Sequence, residues 1–158
     1  MANSTFNGPI RSENGFKNIV KSSTTGAVTS TMTLETYTAT ITVANGATTG
    51  KESAVGIPAN FIPMGVTVAV TTASTNSVTL NDIGTDADTD GYVDGISPAL
   101  NTTGFKGFFG CNGVLGMSGF TTASSGLVGD EVELVVSGDP GSDTVIVRKF
   151  FGISSSSD

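Results

Sequence analysis

Residues 85–95 read TDADTDGYVDG, which sets Asp86, Asp88 and Asp90 at alternate positions, then Gly91, with Asp94 just beyond. Carboxylates at that spacing on a sharply turning backbone are the chemistry of a calcium loop, because calcium takes six to eight oxygens and the EF-hand begins D-x-[DN]-x-[DN]-G. The Tyr92 carbonyl and the Asp94 carboxylate stand at the seventh and ninth loop positions, and Asp82 lies close upstream as a further oxygen donor. The twelfth position, however, is Ser97 where an EF-hand has a bidentate glutamate, and the preceding SVTLNDIG reads as strand rather than helix. An EF-hand is therefore rejected. Two readings stay open: a looser calcium turn between strands, or a solvated hairpin whose aspartates serve turn geometry and solubility. In either case an ion here rigidifies a loop and performs no reaction, so no cofactor is expected beyond that candidate calcium.

Other reactive constellations are scarce. The chain has no histidine, which excludes Ser–His–Asp and Cys–His nucleophiles, His general bases and His-ligated zinc. Carboxylates, lysines and tyrosines remain but are scattered. A carboxylate pair of the glycosidase kind can be assembled from distant strands, yet the absence of tryptophan removes a favoured sugar-stacking residue. No enzyme is expected. The single cysteine, Cys111 in GCNG, has no basic neighbour to make it a nucleophile and reads as a small buried residue.

Composition narrows the class of partner. At 158 residues the chain makes one domain that can bury roughly 70% of its unfolded surface. Charged residues are 13% of the chain, about half the usual ~25%, so its surface is polar but weakly charged. The net charge of −7 has the wrong sign for neutralising phosphates, and no nucleic-acid partner is expected. The opening MANSTFNGPIRSENGF lacks a charged segment followed by an apolar one, and no run reaches the ~18 apolar residues of a membrane span. The expectation is a protein made in the cytoplasm without a secretory signal or membrane partner.

The elements that must position the aspartates are strands. In ETYTATITV, 35–43, Tyr37, Ala39, Ile41 and Val43 alternate with four threonines, the period-two pattern of a half-buried antiparallel strand. GVTVAVTTA from Gly65, NSVTLNDI from Asn76, DEVELVVSG from Asp130 and DTVIVRKFFGI from Asp143 follow the same pattern. In DEVELVV, Val132, Leu134 and Val136 share one face and Glu131, Glu133 and Val135 the other. Turn signals separate these runs at 44–50, 73–77 and 137–143, and Asp139-Pro140-Gly141 predicts that the last two strands pair as a hairpin. Strands at about ten-residue spacing without a helical repeat predict an all-β antiparallel sandwich, jelly roll or barrel.

Two segments break the pattern. Residues 1–25 are polar with isolated anchors Phe6, Ile10, Phe16 and Ile19, which suits an extended arm lying on another surface. Residues 104–120, GFKGFFGCNGVLGMSGF, hold Phe105, Phe108, Phe109, Leu115, Met117 and Phe120 among many glycines. They read as core strands broken by bulges or as an apolar subunit interface. The division expected is an arm at 1–25, a sandwich domain at 26–153 and a flexible tail at 154–158.

NSTFNGPIRSENGF, IPANFIPMGVTV and ALNTTGFKGFFGCNG together resemble small virion structural proteins of marine tailed phages, particularly those of cyanobacteria: capsid decoration, or cement, proteins. The resemblance runs from about Asn3 to Asn112, and none of its motifs is catalytic. It implies a jelly-roll-like β-fold that sits as a homotrimer on the outer surface of an HK97-type capsid, with the major capsid protein as partner. An acidic chain suits that outer face better than a lumen beside DNA, since like charges repel. On this reading Phe6 and Ile10 dock in apolar pockets of the capsid, Pro9 holds the arm extended, and Arg11 finds acidic groups. The same arm can instead fold back on its own or a neighbouring subunit. A receptor- or glycan-binding sandwich of a head or tail fibre is the alternative function, because it shares the β-architecture and low charge.

Overall fold

The computed structural model describes residues 17–52, 61–86, 88–111 and 131–156. Among these there are eight strands and no helix: β1 (Lys17–Lys21), β2 (Val28–Val43), β3 (Thr49–Lys51), β4 (Phe61–Thr72), β5 (Leu80–Thr85), β6 (Gly104–Gly110), β7 (Val132–Val136) and β8 (Thr144–Ser156). They form two antiparallel sheets, one in the order β1-β2-β8-β4-β6 and the other β3-β7-β5. The all-β antiparallel sandwich expected from the alternation is what forms.

Threonine and valine dominate the long strands because β-branched side chains fit a pleated, half-buried surface. Alternation then decides the faces. Ile41 and Val43 of β2, Val66, Val68 and Val70 of β4 and Ile146 and Phe150 of β8 are buried on one side of the five-stranded sheet. Leu80 and Ile83 of β5 and Val132, Leu134 and Val136 of β7 meet them from the three-stranded sheet in a single core. Each such side chain contributes about 1.5–3 kcal/mol by leaving water. A one-residue slip of β2 on β8 would turn this set outward, so the unbroken register from Thr31↔Ser156 to Val43↔Thr144 is held by burial.

The free edge of β5 is covered by the chain that follows the acidic loop. Residues 92–100 run back along it, with antiparallel bridges Ile83↔Val93 and Thr79↔Ala99 and hydrogen bonds from Leu80 N to Pro98 O (3.1 Å) and from Leu100 N to Val78 O (2.9 Å). From β2 onward, the connections pass from one sheet to the other.

One expectation fails here. β7 pairs with β3 and β5, while β8 pairs with β2 and β4, so the last two strands are not a hairpin. The Asp139-Pro140-Gly141 segment does reverse the chain, with Gly141 at φ 72°, but it carries it across the sandwich. Turn residues specify a reversal; the sheet each flanking strand joins depends on long-range partners.

Lys17–Lys21, inside the segment expected as an arm, is β1 and pairs antiparallel with β2. At the other end the backbone of β8 continues to Ser156, three residues into the segment expected as a flexible tail.

Candidate functional site

The acidic loop leaves β5 and doubles back at once. Thr85 and Asp88 exchange backbone hydrogen bonds, Thr85 N to Asp88 O at 2.8 Å and Asp88 N to Thr85 O at 3.1 Å, and Gly91 N donates to the same Asp88 carbonyl at 3.1 Å. This tight fold-back crosses directly over Gly84, where an added Cβ would come within 2.0 Å of the Asp88 carbonyl oxygen. Only glycine allows so close a backbone approach. Beyond the loop, Tyr92 drops into the core and meets Phe150 of the opposite sheet edge-on, ring centroids 5.1 Å apart.

The four candidate ligands are thereby separated in role. Asp86 turns to Lys51 at the end of β3, Oδ1 to Nζ 2.5 Å. The hydrogen bond from Lys51 holds the Asp86 carboxyl below the ordinary carboxylate value, and the same bond holds Lys51 above the ordinary lysine value. Asp88 and Asp90 do come together: the hydrogen bond and repulsion of Asp90 hold Asp88 above the ordinary carboxylate range, as two like charges sharing a site must. Asp94 is exposed further along. Asp82 accepts a hydrogen bond from Gly95 N at 2.9 Å, which pins the loop's exit. Among the described residues, no group of three or more aspartate, glutamate, histidine or cysteine side chains is placed to hold a metal ion.

A buried ion pair escaped the sequence reading. Arg148 of β8 and Glu52, just past β3, are 3% and 4% exposed and joined side chain to side chain, so the contact links the two sheets through the core. Arg148 also donates from Nη1 to the Tyr37 carbonyl at 2.9 Å and lies 4.8 Å from the Phe150 ring centre. Its Nε has no hydrogen-bond partner among the described residues. A signal existed: Arg148 falls between Ile146 and Phe150 on the inward parity of β8, and a cation there demands a buried counter-charge.

β6 is an edge strand of the larger sheet, and the phenylalanine-rich segment divides along it. Phe109, paired with inward Val66, packs against the core. Phe105 and Phe108 face out, 69% and 59% exposed. Leu115, Met117 and Phe120 lie outside the described residues, as do the proposed capsid-contact residues Phe6, Pro9, Ile10 and Arg11. Cys111 packs against the core, and burial pushes its thiol up to about 12, far from the range of a reactive thiolate.

No protein-family model matches the chain, and no curated protein matches it. Among solved structures, the chain is similar to one in the cyanophage Pam1 capsid asymmetric unit, with a TM-score of 0.43 and 15% identity over 96% of each chain.

Proposed function

We propose that this chain is a non-enzymatic virion protein that decorates the outer surface of an HK97-type phage capsid as a homotrimer and stabilises the shell. The observation that supports it best is the strand order. β2, β8, β4 and β6 form one sheet, and β3, β7, β5 and the bridged 92–100 return form the layer against it. That alternation supports a jelly-roll winding, an architecture used by viral capsid proteins. The motifs that resemble phage cement proteins point the same way.

Mechanistically, decoration requires no reaction. A ligand that binds only the expanded lattice shifts the shell toward that state by mass action, and three linked copies multiply a modest contact into avidity when their threefold axis matches the lattice. In this reading residues 1–16, with Phe6, Pro9, Ile10 and Arg11, reach the major capsid protein, while β1 ties the root of that segment to the sheet.

A cryo-EM map of the virion tests this. The expected result is threefold density for this chain repeated over the capsid surface, with residues 1–16 against the major capsid protein. Density confined to the tail or to one vertex would overturn decoration and favour the fibre alternative.

A further inference from the structure

The outward face of the five-stranded sheet is apolar along β8, β4 and β6 and at Leu34 of β2. Leu34 and Met64 are 73% and 55% exposed, and Phe105 and Phe108 fall between them. The register joins them into one surface: Leu34 stands beside Ile153, Ile153 beside Ile62, and Phe108 beside Thr67. The Phe108 ring lies over Gly65, where a Cβ would meet its Cζ at 2.2 Å, and meets Phe151 edge-on at 6.0 Å. Exposed apolar patches of this kind mark contact sites.

We propose that this face is where a second copy of the chain packs, which supplies the subunit contact of the trimer and rests on that reading. The charge distribution selects the occupant. Copies carrying −7 each repel, yet none of the described strand side chains on this face is a carboxylate. Asp82, Asp86, Asp88, Asp90 and Asp94 all belong to β5 and the loop after it, in the other layer. Lys149, its Nζ 5.8 Å from the Phe151 ring, places a positive charge on the apolar side. Copies that turn this face toward a shared threefold axis thus meet with the least repulsion, whereas a basic partner would be drawn to the acidic layer.

Area supports the same occupant. A fully exposed phenylalanine offers roughly 150–250 Å², so Phe105 and Phe108 at 69% and 59% exposure, with Leu34, Met64 and the half-buried Ile62, Phe151 and Ile153, supply much of the ~800 Å² per partner of a stable interface. Packing by the face is favoured over strand addition at the edge of β6. Gly104 and Gly107 sit there at φ 114° and 150°, beside a register shift at Val68/Ala69, and such irregularity blunts an edge.

Sedimentation velocity of the full chain at micromolar concentration is the test. The unaltered protein is expected to associate, and the Phe105→Ser/Phe108→Ser variant to fall to monomer mass, about a threefold drop for a trimer, with its β-type circular dichroism retained. Should that variant not fold, Leu34→Glu at the most exposed position provides the same readout. A monomeric unaltered protein, or variants that associate like it, would overturn the inference. Variants that associate normally but no longer bind capsids would assign the face to the capsid and leave decoration standing. Variants that become monomeric, together with a virion map lacking the chain on the shell, would retain this interface and remove the decoration reading.

Discussion

Arg148 and Glu52 show how one residue's parity sets its energetic role. Both are almost wholly buried, so each charge is tolerable only because the other is there. Replacing Arg148→Met leaves a buried carboxylate unpaired and is expected to cost about 3–5 kcal/mol, whereas the double replacement Arg148→Met/Glu52→Leu is expected to recover most of it. Urea unfolding of the two single variants and the double variant measures this; additive losses in the double would show that the pair is not coupled. The arginine's inward position was legible from the alternation of VIVRKFF. Its partner was not, because Glu52 is 96 residues away in the chain.

Among the elements, the acidic loop depends on Gly84 more than on its aspartates. A Cβ there would meet Asp88 O at 2.0 Å and Thr89 C at 2.4 Å, all backbone, so neither side can yield by a rotamer change. Gly84→Ala is expected to lower stability by about 1–3 kcal/mol through overpacking. Gly110→Ala, whose Cβ meets nothing within 4 Å, serves as a control on an edge strand of the other sheet and is expected to be near neutral. Equal chemical-denaturation midpoints for the two variants would refute the close approach as the loop's constraint. That the chain reverses at Asp86, Asp88 and Asp90 was legible in the closely spaced aspartates and Gly91, whichever of the two open readings of the loop is taken. That Asp86 leaves it for Lys51 depended on β3 lying across β7 from β5, which local spacing does not encode.

At the scale of the whole molecule, two arches at one end carry the chain between sheets, one leading from β2 into β3 and the other from β7 into β8. Asp139 joins them: its Oδ1 accepts from Gly141 N at 2.8 Å and from Gly46 N at 2.9 Å, while Asp143 accepts from Asn45 N at 2.9 Å. The bonds from Gly141 and then Gly46 hold the Asp139 carboxyl below its ordinary value of 3.8. A carboxyl depressed in the folded state adds stability above its unfolded pKa, and that stability is lost as pH falls toward the folded pKa. Asp88, raised by Asp90, acts in the opposite sense and becomes less unfavourable in acid. Asp139→Ala is therefore expected to be less stable at pH 7 and to lose less than the unaltered protein between pH ~4.5 and ~2.5. Parallel pH profiles of urea midpoint would contradict the bond.

By itself the sequence determined the strand class, the inward residues of β2, β4, β7 and β8, and the exclusion of histidine chemistry. Alternation and residue type are local, and burial enforces them wherever the strand goes. Tertiary structure alone decided which sheet each strand joined, and so turned the expected terminal hairpin into an arch. It also divided the phenylalanines of β6, sending Phe109 to the core and leaving Phe105 and Phe108 on an open face. The reason is physical: a strand's pattern fixes which side chains share a face, but whether that face meets a second sheet or water depends on residues far away in the chain.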